Sequence, residues 1–290
     1  MNLLADLKMK QTLMGLVAVA TGTSGVLFEI GRGRVVKVAY DTPEATEKLV
    51  IEEKIYERLG IHPYITRLVY EYNRMIVLEQ HVCTMRQHLA YTRHLGERPQ
   101  KDQVFEWAIW ISQALHHAHS QNVLQVDIGP HNVMLTSDAI PKLCDFAGSS
   151  IDGSRPSVEP PPHGAYPYMR DGMPSIHSEI FALGSMFYEL ETTRKPYYKK
   201  KPNEIKILFK RGTFPVTRKL VLGEVILKCW RSQYRNVGEI IQDLVRVEEE
   251  YMAAEAVRAE AERRRRAAQN QRIRYFLAAL NLFYHQCHRR

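Results

Sequence analysis

At 290 residues, 45% hydrophobic and 25% charged, the chain has the makeup of an ordinary folded protein with room for two lobes, and no apolar run reaches the roughly 18 residues of a membrane helix. Four scattered cysteines (Cys83, Cys144, Cys229 and Cys287) exclude a paired framework and a C-x-x-C metal site, and suit buried thiols in a reducing, cytoplasmic setting. The net charge of +8 is local: ten Lys and Arg between 194 and 219 meet one acid, Glu204, so this segment carries +9 and the rest of the chain sums to −1. Such a patch suits acidic protein segments, anionic lipid or nucleic acid, or is a solvated helix face; nucleic acid is not the partner expected.

Near the start, Lys8 and Lys10 precede the apolar run 13–20, which imitates a signal peptide, but cleavage there would remove the first expected strand. Residues 16–40 alternate β-branched runs with glycine turns and predict three antiparallel strands. The first turn contains Gly22 and Gly25, where backbone N–H groups can approach phosphate oxygens with no Cβ in the way. Twelve residues on, Lys37 sits inside the apolar strand Val35–Val38, where a buried ammonium needs anionic partners. Pro43–Leu59 predicts a helix with Pro in its first turn and Gly60 after its end. Its stripe of Leu49, Tyr56 and Leu59 includes Glu52, the expected partner of Lys37, with Glu53 as the fallback.

Strands follow at 65–70 and 75–78, then a helix over 103–121 whose apolar stripe runs through 104, 107, 108, 111, 114, 115 and 118. His116, His117 and His119 lie on that helix, but adjacent residues do not share a helical face, so no metal site is expected there. Between Gln125 and Gly148 the chain reads Q-V-D-I-G-P-H-N-V-M-L-T-S-D-A-I-P-K-L-C-D-F-A-G. A turn, a strand at 133–135, a reversal through Ser137 and Asp138 and a strand at 141–144 would bring Asp127, Asn132 and Asp145 to one edge. Oxygen donors of this kind hold hard cations while the remaining carboxylate accepts a proton from a hydroxyl, which is a phosphate-transfer constellation; a polar Asx-rich turn without chemistry is the bland alternative. Residues 149–165 read as loop, 180–190 as a buried helix, and 248–274 as a long exposed helix ending in a stripe of Ile273, Phe276, Leu277, Leu280, Tyr284 and Cys287. That stripe is expected to bury against the body of the protein, a partner helix or a second copy.

The stretch from Asp127 to Asp145 resembles the catalytic and metal-binding loops of the protein kinases, H-R-D-L-K-x-x-N followed by D-F-G. Here Q-V-D stands for H-R-D, Gly129 for the Lys, and D-F-A for D-F-G, so the chain looks like a divergent member of the kind common in filamentous fungi. Matching Gly22 and Gly25, Lys37, Glu52, a helix E-I-F-A-L-G similar to the family's D-x-F-A-L-G with Glu179 in place of Asp, and the late pair Cys229-Trp230 carry the resemblance across about residues 15–246. It implies an α+β, bilobal protein-kinase-like fold, with a kinase domain at 10–246 (small β-rich N-lobe about 10–78, hinge 79–82, larger helical C-lobe 83–246) and a helical extension at 247–290.

By the same resemblance ATP and Mg²⁺ are the cofactors. Lys37 and Glu52 serve the nucleotide phosphates, Asp127 is the base, and Asn132 and Asp145 hold the metal. Gly22 and Gly25 cover the phosphates, backbone groups of Glu79 and His81 face adenine, and Leu78 closes the pocket's rear. The implied activity is transfer of the γ-phosphate to a protein hydroxyl, serine or threonine before tyrosine. A pseudokinase scaffold and a small-molecule phosphotransferase remain as alternatives. Val126 stands where the family has an arginine that grips a phosphorylated loop, and A-P-E is not recognisable, so switching by phosphorylation of the 149–165 segment is not expected.

Overall fold

The computed structural model describes residues 15–169 and 171–287, with side chains to Leu277. The apolar run's beginning, Lys8, Lys10 and the domain limit at residue 10 lie outside the described residues, as do the side chains of Leu280, Tyr284 and Cys287. The chain divides into two units, one reaching Val245 and a second from Arg246.

The first unit begins with β1 (Ala18–Thr21), β2 (Gly25–Gly31) and β3 (Arg34–Ala39), the three antiparallel strands expected from the glycine turns. With β4 (Leu68–Tyr72) and β5 (Met75–Glu79) they form a five-stranded sheet in the order β1-β2-β3-β5-β4. The fourth strand starts later than its sequence suggests, because Ile65 makes an isolated parallel bridge to Leu143 instead of joining the sheet. Alternation along β3 sends Val36 into a cluster with Met75 and Val77 on one face, while Val35 and Lys37 line a cavity on the other. Gly25 is required by this pairing: a Cβ there would lie 2.1 Å from the Val38 carbonyl oxygen.

Helix α1 (Pro43–Leu59) matches its predicted bounds. Thr42 caps it by accepting from the Ala45 N–H, and Gly60 ends it at φ 61°. Its buried stripe includes Ala45, Leu49, Glu52, Ile55, Tyr56 and Leu59.

The remainder is helical. After β6 (Cys83–Thr84) come α2 (Met85–His94) and α3 (Lys101–Ser120). The short strands β7 (Val123–Leu124), β8 (Val133–Leu135), β9 (Pro141–Leu143) and β10 (Ser150–Ile151) follow, with β8 and β9 forming the predicted hairpin and β6 pairing along β8. Next are α4 (Ile176–Thr192), α5 (Pro202–Lys210), α6 (Gly223–Trp230) and α7 (Val237–Cys287). Helix α4 starts at a Ser175/Ser178 capping box and is buried almost all round, as its apolar sequence requires.

Helix α7 is one 51-residue helix that runs through Arg246, where the second unit begins. Val237, Ile240 and Leu244 bury its start in the first unit. Good helix formers, with no Gly or Pro after Gly238, carry it on. In the second unit Arg264–Glu260 and Arg266–Glu262 pair at i,i+4, and Ile273, Phe276 and Leu277 are exposed. Among the described residues no helix is long and apolar enough to cross a membrane.

Candidate active site

Three elements of distant sequence meet at Lys37. Its ammonium lies 2.6 Å from Glu52 Oε2 on α1 and 2.9 Å from Asp145 Oδ1, just beyond β9. Burial alone would lower the lysine's pKa, but the two carboxylates overcome it and hold the group above its usual range and charged. For Glu52, 1% exposed, burial outweighs the pull of Lys37 and pushes the carboxyl up to about 7, while Oε1 has no partner. Glu53, the fallback partner, meets Glu71 instead; its protonated carboxyl donates to the Glu71 carboxylate, which with burial pushes it up to about 7.

Residues 125–132 form a turn pinned from below. The backbone at Val126 has φ 72°, a conformation that costs a β-branched residue about 1–3 kcal/mol unless its surroundings enforce it. Glu179 on α4, 1% exposed, does so by accepting from the Val126 N–H at 2.6 Å while its other oxygen lies 2.5 Å from His119 Nε2. Gln125 ties the turn to the β9 side, donating from Nε2 to the Cys144 carbonyl at 2.7 Å. Asp127 follows directly, and Asn132 Nδ2 donates to the Asp127 carbonyl at 2.9 Å. Phe146 is fully buried edge-on against Tyr56 of α1, which fixes Asp145 at φ 58° beside Lys37. Ala147 is not among the positive-φ residues, so its methyl group is accommodated without strain; Gly148 makes the φ 90° turn instead.

Lys37, Glu52, Asn132 and Asp145 line one cavity of about 480 Å³. Val35, Leu27 and Met134 supply apolar walls, Leu78 is at its side, and Glu79, Gln80 and His81 form an edge. Glu79 is held by the Arg67 N–H at 2.9 Å and His81 by Thr66 at 3.1 Å; burial lowers the His81 pKa. Gly22 reaches this wall, whereas Gly25 is absent from it and serves the β2–β3 contact. The size and mixture suit a nucleotide: apolar surfaces for a base, one buried cation for phosphate. Asn132 and the 48% exposed carboxylate of Asp145 are hard oxygen donors facing the same space, so the donor set fits Mg²⁺.

The histidines of α3 serve packing: His117 contacts the Leu59 carbonyl and stacks on His62, and His119 meets Glu179. The structure adds residues around Asp127 that the sequence pattern does not single out. His131 Nε2 lies 2.9 Å from Asp127 Oδ2, and Arg86 of α2 is clamped by Glu189 through two bonds of 3.1 Å. Burial, then Lys195, Arg86 and His131, push the nearby His163 down to about 3, against the pull of Asp127. The signal available for His131 was its i+4 position from Asp127 across a turn, Ile128-Gly129-Pro130, that contains glycine and proline. A second cavity, of about 380 Å³, runs from Val126 past Tyr166 and Pro167 to Lys206 and Lys210.

A family model described as the protein kinase domain matches residues 29–251. Among similar proteins, a probable serine/threonine-protein kinase of Clostridium acetobutylicum is 27% identical over 167 residues, covering 52% of this chain and 25% of that protein. The serine/threonine-protein kinase Nek1 of Mus musculus is 30% identical over 122 residues, 40% of this chain and 10% of that one. The membrane-associated tyrosine- and threonine-specific cdc2-inhibitory kinase wee-1.3 of Caenorhabditis elegans is 35% identical over 97 residues, 32% and 14% respectively. The matches thus span a quarter or less of these relatives' lengths.

Proposed function

This chain belongs to the protein kinase domain family, and on that premise we propose that it is an active ATP-dependent protein kinase of serine/threonine type. The observation that carries this reading is the contact of Lys37 with both Glu52 and Asp145, because a buried ammonium held between two carboxylates on one cavity wall is placed to meet phosphate oxygens. The acceptor type rests on the similarity to the bacterial and mouse serine/threonine-protein kinases. We take 10–246 as the catalytic domain and 247–290 as an extension.

In this reading backbone groups at Glu79 and His81 hold adenine, the Gly22 turn covers the phosphates, and Lys37 fixes their orientation with Glu52 steadying the lysine. Asn132 and Asp145 hold Mg²⁺, which when bound neutralises charge between the outer phosphates. The acceptor hydroxyl oxygen bonds to the γ-phosphorus as the bond to the β-phosphate oxygen breaks, ADP leaves, and the hydroxyl proton passes to the Asp127 carboxylate. Acceptor polypeptide enters along the groove from Val126 to Lys206 and Lys210.

Single-turnover transfer from labelled Mg·ATP to the protein itself, to mixed protein acceptors and to a metabolite mixture tests the proposal. Wild type is expected to transfer label, and Asp127→Asn and Lys37→Met to lose it. A melting shift with ATP but no transfer by wild type refutes the enzyme and leaves a nucleotide-binding scaffold; label on metabolites and none on protein points to a small-molecule phosphotransferase.

A further inference from the structure

Asp127 has a close side-chain neighbour that its proposed role does not account for. His131 Nε2 lies 2.9 Å from Asp127 Oδ2, and the two groups are comparably exposed, at 29% and 30%. A carboxylate only accepts, so the hydrogen of this bond sits on Nε2, and one carboxylate oxygen is tied down while the other stays available to a hydroxyl. His131 also lines the cavity shared by Lys37, Asn132 and Asp145.

The imidazole owes its place to Gly129. A Cβ at 129 would lie 2.8 Å from both Cε1 and Nδ1 of the His131 ring, closer than such atoms sit. Arg86 Nη2, held to Glu189 with its Nε through two bonds, would be at ordinary contact distance, 3.5 Å, so the conflict falls on the imidazole. The turn itself is fixed by the Asn132 N–H on the Gly129 carbonyl and the Arg86 N–H on the Pro130 carbonyl, at 3.0 and 2.9 Å. His131 Nδ1 is buried on this packed ring without a hydrogen-bond partner, so the Nε2 bond is what orients the side chain. The glycine at 129 is not explained by backbone conformation, since its φ is outside the left-handed region.

We propose that His131 is the positioning residue of Asp127 and that Gly129 exists to seat its imidazole, so that 129 and 131 work as one unit. This rests on the kinase reading for the reaction that Asp127 serves. A lysine at 129, as in the family pattern, then lowers transfer in this chain, because its Cβ displaces the ring before its ammonium can act.

The test is a double-substitution cycle read in single-turnover transfer at saturating Mg·ATP and, separately, in urea unfolding. His131→Phe keeps a ring and removes the donor, and should slow transfer on the order of 10- to 100-fold with the ATP-induced melting shift unchanged. His131→Gln keeps a donor and should recover most of that loss. Gly129→Ala should slow wild type about 10-fold yet change His131→Ala by less than about 2-fold, with the same non-additivity in the urea midpoints. Wild-type rates in His131→Phe, or an equal Gly129→Ala penalty in both backgrounds, overturn the proposal. If wild type transfers nothing, the kinase reading falls and the positioning role with it, while the urea cycle still shows whether 129 and 131 are coupled: additive midpoints refute the seating of the ring as well.

Discussion

Replacing Glu179 by alanine removes the carboxylate that holds the turn before Asp127. The Val126 N–H loses an acceptor at 2.6 Å and His119 Nε2 a partner at 2.5 Å, in surroundings where Glu179 is 1% exposed and Val126 4%. Hydrogen bonds to a charged group contribute about 1.5–3 kcal/mol each, and a buried N–H left unpaired costs about 1–3 kcal/mol. Relaxation of Val126 from φ 72° returns part of its 1–3 kcal/mol of strain, so the net loss is expected at about 3–5 kcal/mol. Urea unfolding of Glu179→Ala beside Glu179→Gln measures it: glutamine keeps an acceptor for Val126 and should lose roughly 1–2 kcal/mol. Because relaxation swings the neighbouring Asp127, phosphate transfer at temperatures where Glu179→Ala remains folded should fall further than in Glu179→Gln. A Glu179→Ala protein within about 0.5 kcal/mol of wild type would refute the idea that this carboxylate enforces the turn.

Gly25→Ala brings a Cβ within 2.1 Å of the Val38 carbonyl oxygen and should cost more than about 2 kcal/mol in urea unfolding, whereas Gly22→Ala, with its nearest contact at 3.9 Å, should stay within about 0.5 kcal/mol. Burial and the surrounding cations hold His163 at about 3, below the ordinary 6.5, so its neutral form supports the fold fully above pH 6.5 and that support is lost as pH falls toward 3; His163→Gln should flatten stability against pH across this window. Gln125→Met removes the donor to the Cys144 carbonyl with little change in volume and should cost about 1 kcal/mol in urea unfolding; an unchanged midpoint would contradict the assigned role.

Local pattern made much of this fold legible. Pro43 and Gly60 punctuate α1, and the 3.6 period of Leu49, Glu52, Tyr56 and Leu59 places the glutamate on the buried face that meets Lys37. Alternation within β3 likewise separates Lys37 from Val36. Long-range pairing was less legible: Ile65 leaves its strand for Leu143, 78 residues away in sequence, and nothing local signals it. Helix α7 passes residue 246 unbroken because the Ala, Glu and Arg that follow are good helix formers. Glu52 and Glu53 were separable by face, but the contact of His131 with Asp127 depended on the empty space at Gly129, which a letter pattern does not display.

The departures from the kinase pattern separate physically by whether the contact can be kept with different atoms. Glutamine at 125 donates across to the 144 carbonyl, glutamate at 179 accepts from the strained N–H of residue 126, and alanine at 147 adopts an ordinary φ while Gly148 takes the turn. Each of these changes preserves a backbone position, and each can therefore be neutral for chemistry. Gly129 differs in kind, since glycine supplies no group that could replace an ammonium. A lost charge cannot be recovered by adjusting the loop; it has to be met by other side chains or the site must work without it. Arg86 and His131 occupy the space next to that glycine and Lys195 contributes to the charge around Asp127, so the region is filled by residues from α2, the turn itself and the segment after α4. On the proposed kinase reading, transfer then depends on how these groups act on Asp127, and a lysine restored at 129 alone is expected to slow it.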